Sequence, residues 1–189
     1  MKPEDIQTIV YSVGKNQGYS QNLRDWEWVI LDDSPEDKHF DFLRNFCKND
    51  KRIRLYKRDS NSGNIGNVKN EAVGLCRGKY VLELDHDDIL LPKILDDAYN
   101  IFEGDEEIGF VYSDFTNLYE NGKNFWYGDW IGKGYCGYYM QKLDNIWVNV
   151  CSCPGINNVT CSHLVCLPNH PRMWRRKTLL ELGNYSEFL

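Results

Sequence analysis

The chain has 189 residues, of which 42% are hydrophobic and 14% aromatic, enough for one globular domain with its own core. Twenty-eight acidic residues against twenty-two basic ones give a net charge of −6, which argues against a nucleic-acid partner bound through phosphate contacts. No run approaches about 18 apolar residues, so no transmembrane segment is predicted, and the seven cysteines are expected to be free thiols in the cytoplasm or on the cytosolic face of a membrane.

The first segment allows two interpretations. Apolar residues recur at helical spacing between positions 6 and 13, and Gly14 follows as a stop, which predicts a helix. The β-prone run at 8–11 supports a strand instead.

Strands and helices alternate in the rest of the first half. Strands are predicted at 26–31, 53–57, 80–84 and 108–112. Helices are predicted to begin near Ser34-Pro35, Asn64 and Pro92. The buried stripe of the first is Phe40, Leu43, Phe46 and Cys47, that of the second is Ile65, Val68, Ala72 and Leu75, and that of the third is Ile94, Leu95, Ala98, Ile101 and Phe102. This alternation predicts an α/β fold with a mostly parallel sheet and helices on both faces.

Three predicted strands end in carboxylates, at Asp33, at Asp85 to Asp88 and at Asp114. Open α/β sheets bind ligands outside the carboxyl ends of their strands, so these side chains are expected to line a ligand crevice. Asp85 and Asp87 lie two residues apart and would point to the same side of an extended segment, where both can reach one Mg²⁺ or Mn²⁺. The alternative is a solvated acidic turn that caps the next helix.

The second half is less regular. Residues 125–139 are rich in aromatic side chains, which suit sugar rings but also simply pack loops, and residues 151–170 show no periodicity. A basic amphipathic helix is predicted at 172–182, with Met173, Leu179, Leu180 and Leu182 apolar. The sequence therefore divides into an α/β half at 1–116 and a less regular region of the same domain at 117–189.

A group of cysteines and histidines in this second half allows a zinc site or ordinary packing. Its members are Cys151, Cys153, Cys161, His163, Cys166 and His170. Their spacing is not that of a common zinc finger, and free cysteines pack well as small apolar side chains. Packing is therefore the favoured interpretation.

Several motifs in one order resemble the family 2 glycosyltransferases of the GT-A fold. They cover most of the chain and comprise Trp26 to Leu31 with Asp32-Asp33-Ser34, Asn61-Ser62-Gly63, Lys69-Asn70, Gly78-Lys79-Tyr80 with Leu84-Asp85-His86-Asp87-Asp88, Val111-Tyr112-Ser113-Asp114, and Trp174-Arg175-Arg176 with Leu182-Gly183-Asn184-Tyr185. No one of them is as specific as the ordered set.

The resemblance implies a nucleotide-diphosphate sugar donor, by default a UDP-sugar. Asp32 and Asp33 would belong to the donor site, with Asp33 accepting from the imide N–H of the base. Lys69 stands where the family usually has arginine and would approach the diphosphate. Asp85 would contribute to donor binding and, with Asp87, hold Mn²⁺ or Mg²⁺ as a DxD motif. The implied reaction is inverting transfer to a hydroxyl of a glycan, protein or small-molecule acceptor, with a carboxylate as base.

The roles of several other residues stay open. Asp88 is a water-mediated metal ligand or, by slight preference, the cap of the helix at Pro92, and His86 is expected to point away from the metal. No spacing selects the general base among Asp114, Asp129 and Glu187. The resemblance implies that residues 117–189 form the acceptor side, and the residues suggested there are Trp126, Trp130, His170 and Trp174.

Two family features are expected outside these 189 residues. The resemblance places an inner first strand before Pro3 and an acidic pair after Leu189. The chain is therefore expected to be truncated at both ends, or to be completed by another chain in an oligomer. A non-catalytic remnant that binds nucleotide sugar without transferring it is the alternative function.

Overall fold

A computed structural model describes residues 25–85, 87–126, 128–143, 145–164 and 167–188. In chain order its elements are β1 Trp28–Asp32, α1 Asp37–Cys47, β2 Ile53–Lys57, α2 Ile65–Leu75, β3 Tyr80–Glu83, α3 Ile94–Gly104, β4 Phe110–Tyr112, β5 Tyr138–Leu143, β6 Ile146–Cys151, α4 Asn158–His163, β7 Arg172–Arg175 and α5 Arg176–Glu181. The alternative helix or strand at 6–13 and the orientation of His86 lie outside the described residues. Among the described helices, none combines the length and apolar composition needed to cross a membrane.

The described residues form two compact units. The first runs to Phe110 and resumes at Met173, and the second is Val111–Arg172. The division at residue 116 that the sequence suggests stays a prediction.

The first unit begins with two parallel strands covered by α1. β1 and β2 pair in register from Trp28 opposite Ile53 to Asp32 opposite Lys57, as expected for strands separated by a helix. Leu43 of α1 is buried against the apolar side chains of both strands. The predicted stripe was wrong at Phe46, which is 39% exposed, and it left out His39, which is buried on this helix.

The prediction of one helix at 172–182 was wrong. Residues 172–175 form strand β7, which lies between β3 and β4, and only Arg176–Glu181 is helical. Arg175 donates its backbone N–H to Gly109 O at 2.8 Å and Arg176 donates to Lys79 O at 3.0 Å. Hydrogen-bonding partners on both sides outweigh the weak helical pattern of so short a segment, and Met173 becomes a core residue that is 3% exposed.

Helices α2 and α3 differ in how well their starts were predicted. α2 begins after Asn64 as expected, and Asn64 caps it, since its side chain accepts from Asn67 N–H at 3.0 Å. α3 begins at Ile94 instead of Pro92, because Lys93 has a left-handed conformation with φ of 72° that ends the preceding turn. The N-cap is Lys93, so the preferred role of Asp88 as helix cap was wrong.

The second unit is built on an antiparallel hairpin that the sequence pattern did not predict. β5 and β6 pair from Tyr138 opposite Cys151 to Leu143 opposite Ile146. Val148, Val150 and Cys151 of β6 are buried. Most of β5 is exposed, so its sequence lacks the alternation of apolar and polar residues from which a strand is predicted.

Candidate functional site

Asp32 ends β1 as a buried carboxylate. Its Oδ1 accepts from the backbone N–H of Ser34 at 2.9 Å and from its hydroxyl at 2.6 Å. The parallel register places Lys57 beside it, with Nζ 3.7 Å from Oδ2. Oδ2 itself accepts no hydrogen bond from the described residues. Lys57 therefore supplies the compensating charge that a side chain only 5% exposed requires.

Asp33 binds the loop that precedes α2. Its carboxylate accepts from the backbone N–H of Ser62 at 2.9 Å and lies 3.2 Å from Nε of Arg58. Its backbone carbonyl accepts from Nδ2 of Asn61 at 2.6 Å. The structure thus brings the predicted motifs Asp32-Asp33 and Asn61-Ser62 together, and the hydrogen bonds of Asp33 hold the two motifs in contact.

Lys69 is paired with Glu83, a residue that the sequence reasoning missed. Nζ of Lys69 lies 2.7 Å from Oε2 of Glu83, the last residue of β3, and the two side chains are 20% and 6% exposed. The available signal was a charged residue inside the apolar run at 80–84. Lys69 is therefore held at the carboxyl end of β3.

The acidic segment after β3 folds into a turn. Asp88 donates its backbone N–H to Asp85 O at 3.2 Å, and one carboxylate oxygen of each residue lies within 4.8 Å of the other. Asp85 and Asp88 are half-buried, whereas Asp87 is exposed. Because the chain turns here, the two-residue alternation of an extended strand does not apply to Asp85 and Asp87. Their joint binding of a metal stays a prediction.

The three suggested base residues all have protein partners. In the second unit, Asp114 accepts from Cys153 N–H at 2.8 Å through Oδ1 and from the Tyr139 hydroxyl at 3.0 Å through Oδ2. Burial and the bond to Asp114 raise the pKa of Tyr139. Asp129 accepts from a nearby backbone N–H at 2.8 Å, and Glu187 of the first unit accepts from the side chain of Asn70 at 2.9 Å. These contacts do not single out a base.

The suggested acceptor residues fall into different environments. Trp126 is 59% exposed and stacks on Tyr138 with ring centres 4.7 Å apart. Trp130 stacks on Tyr135 at 3.8 Å. Trp174 instead packs in the first unit, with its ring 4.1 Å from that of Phe110. His170 lies with Nε2 2.9 Å from a guanidinium nitrogen of Arg172.

Two of the grouped cysteines, Cys151 and Cys153, have the surroundings of packed thiols, and Cys166 lies outside the described residues. Burial raises the pKa of Cys151 to about 11 and also raises that of Cys153. Cys161 is exposed, and Nδ1 of His163 lies 2.6 Å from Val159 O. Within the described ranges, no group of three or more metal-ligating side chains includes a cysteine.

The family model for Glycosyl transferase family 2 matches residues 2–182. The chain belongs to glycosyltransferase family 2. This membership confirms the resemblance and, with the parallel pair β1–β2, the predicted GT-A α/β fold. The motifs that carry the resemblance begin at Trp26 and lie within the matched residues, except Gly183-Asn184-Tyr185, which follow directly after them.

Relatives in the family resemble roughly half of the chain. It is 35% identical over 104 residues to an uncharacterized glycosyltransferase of Methanocaldococcus jannaschii, which covers 54% of this chain and 36% of that protein. It is 34% identical over 103 residues to the chondroitin synthase of Escherichia coli, covering 54% of this chain and 15% of the synthase. It is 32% identical over 76 residues to the poly(ribitol-phosphate) beta-glucosyltransferase of Bacillus spizizenii, which covers 40% of this chain and 12% of that protein. The chain thus spans about a third or less of the length of these relatives.

Proposed function

We propose that this chain binds a nucleotide-diphosphate sugar, by default a UDP-sugar, and transfers the sugar with inversion to an acceptor hydroxyl, using Mn²⁺ or Mg²⁺. Family 2 membership and the names of the relatives support a transferase. The observation that carries the metal-dependent part is the turn after β3, which places carboxylate oxygens of Asp85 and Asp88 within 4.8 Å.

These two carboxylates fit a hard divalent cation. Mg²⁺ binds oxygen ligands at about 2.1 Å, so two oxygens on one ion lie within roughly 4.2 Å of each other. A separation below 4.8 Å requires at most a small side-chain rotation. We propose that Asp85 holds the ion and that Asp88 or Asp87 is its second protein ligand. When bound, the ion would offset the charge that grows on the leaving diphosphate.

The charge balance of the first unit also favours a cation-dependent donor. Lys57 lies beside Asp32 and Arg58 beside Asp33, so each of these two basic side chains is already next to a carboxylate. A diphosphate would therefore meet little net positive charge from them. A divalent cation supplies that charge locally.

The proposed roles of the side chains follow from where they are held. Asp33 is positioned by the loop at Ser62 and would accept from the imide N–H of the base. Lys69 keeps its ammonium at the end of β3, where it would donate to a diphosphate oxygen. The acceptor oxygen would form its bond to the anomeric carbon as the bond to the diphosphate breaks, and a carboxylate would remove the hydroxyl proton.

In the second unit, Trp126 is the best placed of the suggested acceptor residues. Its ring is held on one side by Tyr138 and is 59% exposed, so a flat apolar face with a polar N–H is available to a sugar ring. We propose a glycan acceptor on this basis. Trp126→Ala is expected to raise KM for a glycan acceptor several-fold and to leave donor binding unchanged. An unchanged acceptor KM would rule out this role.

We also propose that the protein acts in a reducing compartment, in the cytosol or at the cytosolic face of a membrane. The described cysteines are free thiols, and two of them, Cys47 and Cys151, are buried. Thiols persist where glutathione and thioredoxin keep them reduced. Thiol titration of the unfolded protein, isolated without reductant, is expected to find all seven cysteines of the sequence reduced. Stoichiometric disulfides would contradict the proposal.

The test is calorimetric titration of the chain with UDP, with and without Mn²⁺. We expect Mn²⁺ to strengthen UDP binding, Asp85→Asn to abolish this effect, and either Asp87→Asn or Asp88→Asn to identify the second ligand. Glu106→Gln, a change at an exposed acid in a loop, is the matched control. Mn²⁺-dependent UDP affinity that survives Asp85→Asn would refute the metal site.

Release of nucleoside diphosphate from a panel of nucleotide sugars, with Mn²⁺ and candidate acceptors, tests transfer itself. Turnover supports the transferase. Binding without release would establish the alternative, a donor-binding domain that does not transfer sugar.

A further inference from the structure

The carboxylate of Glu83 joins three separate parts of the first unit. Its Oε2 accepts from Nζ of Lys69 at 2.7 Å. Its Oε1 accepts from the Tyr185 hydroxyl at 2.5 Å and, more weakly, from Nε1 of Trp174 at 3.4 Å. The side chain of Glu83 is only 6% exposed, so its orientation is fixed by these contacts.

The two oxygens of Glu83 have different kinds of partners. Tyr185 and Trp174 supply neutral donors that hold the carboxylate in place, while Lys69 supplies the compensating charge. Asn70 in turn holds Tyr185, because its Oδ1 accepts from Tyr185 N–H at 2.9 Å and its Nδ2 donates to Tyr185 O at 3.0 Å. Glu83 is therefore a rigid anchor for the flexible side chain of Lys69.

Lys69 keeps hydrogen-bonding capacity while it is held. An ammonium has three N–H donors, and among the described residues Lys69 forms one hydrogen bond, to Glu83. Its Nζ also lies 5.5 Å from the centre of the Tyr185 ring, a cation–π distance. Glu83 is two residues before Asp85, so the ammonium is fixed where the acidic turn begins.

We infer that Glu83 is a positioning residue that orders Lys69 for a diphosphate oxygen of the donor. The inference rests on the proposed function. Ordering a lysine costs side-chain entropy, and here that cost is met when the chain folds instead of when the ligand binds. Without the charge of Glu83, the ammonium would be ordered only by the ligand, and binding would weaken.

The experiment measures calorimetric binding of inorganic pyrophosphate with Mn²⁺, which does not depend on the nucleotide base. Glu83→Gln keeps an oxygen that can accept from Tyr185 and Trp174, but it removes the charge opposite Lys69. We expect it to weaken binding about tenfold, the equivalent of one lost charge-assisted contact. Lys69→Met is expected to weaken binding to a similar degree, and Lys69→Met/Glu83→Gln no further than either single change.

The chain offers a matched control at the other end of the same strand. Glu103 of α3 accepts from Nζ of Lys79 and from the hydroxyl of Tyr80 at the start of β3, so it has a lysine and a tyrosine partner, as Glu83 does. Glu103→Gln makes the same chemical change and is expected to leave pyrophosphate binding within twofold of the unsubstituted chain. Circular dichroism and thermal melting report whether each variant is folded, and the double variant serves if Lys69→Met alone does not fold.

Each result has one interpretation. Tenfold weakening by Glu83→Gln that is non-additive with Lys69→Met supports positioning. A purely structural role would lower the melting temperature and leave the dissociation constant unchanged, which would overturn the inference. Tighter binding by Glu83→Gln would also overturn it, since Glu83 would then compete with the ligand. If the unsubstituted chain binds neither Mn²⁺-pyrophosphate nor Mn²⁺-UDP, the proposed function itself fails.

Discussion

Replacing Gly66 by alanine should destabilise the fold, although the same change elsewhere in the same helix should stabilise it. A Cβ built on Gly66 of α2 lies 2.0 Å from the backbone oxygen of Ser186, whereas ordinary contacts begin at 3.4 Å. The carbonyl would have to retreat by about 1.4 Å. Gly74, near the end of this helix, is exposed, and a Cβ there meets no atom within 4 Å.

The cost at Gly66 follows from what holds the chain around Ser186. Asn70 exchanges hydrogen bonds with the backbone of Tyr185 at 2.9 and 3.0 Å, and Asn64 donates to Glu187 O at 2.7 Å. Losing these three bonds would cost roughly 1.5–4.5 kcal/mol at about 0.5–1.5 kcal/mol each. The higher helix propensity of alanine returns at most about 1 kcal/mol.

Urea unfolding with linear extrapolation measures the difference. We expect Gly66→Ala to lower the free energy of unfolding by about 1–3 kcal/mol, and Gly74→Ala to raise it by about 0.5–1 kcal/mol. The reasoning would be refuted if Gly66→Ala were as stable as the unsubstituted chain. It would also be refuted if both substitutions shifted stability by the same amount.

The other predictions concern stability in the first unit. Burial raises the pKa of Glu27, but hydrogen bonds from Arg77 N–H and the Arg54 guanidinium outweigh it, so the pKa lies below the ordinary 4.5. The stabilising effect of the Glu27 carboxylate is therefore complete above pH 4.5 and is lost as pH falls through the lowered pKa. Glu27→Gln should lower the free energy of unfolding at pH 7 in urea titrations and lower it much less at pH 3. An equal loss at both pH values would contradict this. Arg175→Met should cost about 2–3 kcal/mol in the same assay, because the guanidinium donates to backbone carbonyls at the end of α3 and before β4; a change below 0.5 kcal/mol would count against it. Phe102→Ala should cost about 3–5 kcal/mol, because this ring is 1% exposed and stacks on Tyr80 at 4.5 Å; Phe102→Leu should cost clearly less, and equal losses would argue against tight packing there.

The parts of the fold that depend on local patterns could be predicted from sequence. The strand at 53–57 has the predicted bounds and the helix after Asn64 has the predicted start, because a short β-prone run and an apolar periodicity that begins after an Asn are local signals. That helix ends at Leu75, two residues before the predicted stop at Arg77-Gly78. Strand β7 could not be predicted in this way. Four residues carry too little pattern to choose between helix and strand, and the backbone partners of Arg175 and Arg176 are 66 and 97 residues away in the chain.

The candidate site could also be predicted only in part from the sequence. Its chemical types could be predicted, since carboxylates that follow apolar strands are visible in sequence as Asp32-Asp33 and Asp85 to Asp88. The basic partners of the carboxylates could not be predicted, because Lys57 lies beside Asp32 through the register of two strands and Lys69 contacts Glu83 from 14 residues away in the chain. The spacing argument for Asp85 and Asp87 assumed an extended chain, whereas the segment is a turn that brings Asp88 beside Asp85.

By itself, the sequence determined the family, the α/β class and the acidic character of the candidate site, because these depend on residue types and their order. Only the tertiary structure decided which cation pairs with which carboxylate, which segment lies between β3 and β4, and that Glu83 is part of the arrangement. The physical reason is that a buried charge must find its partner in space, and the nearest group in space is often remote in the chain.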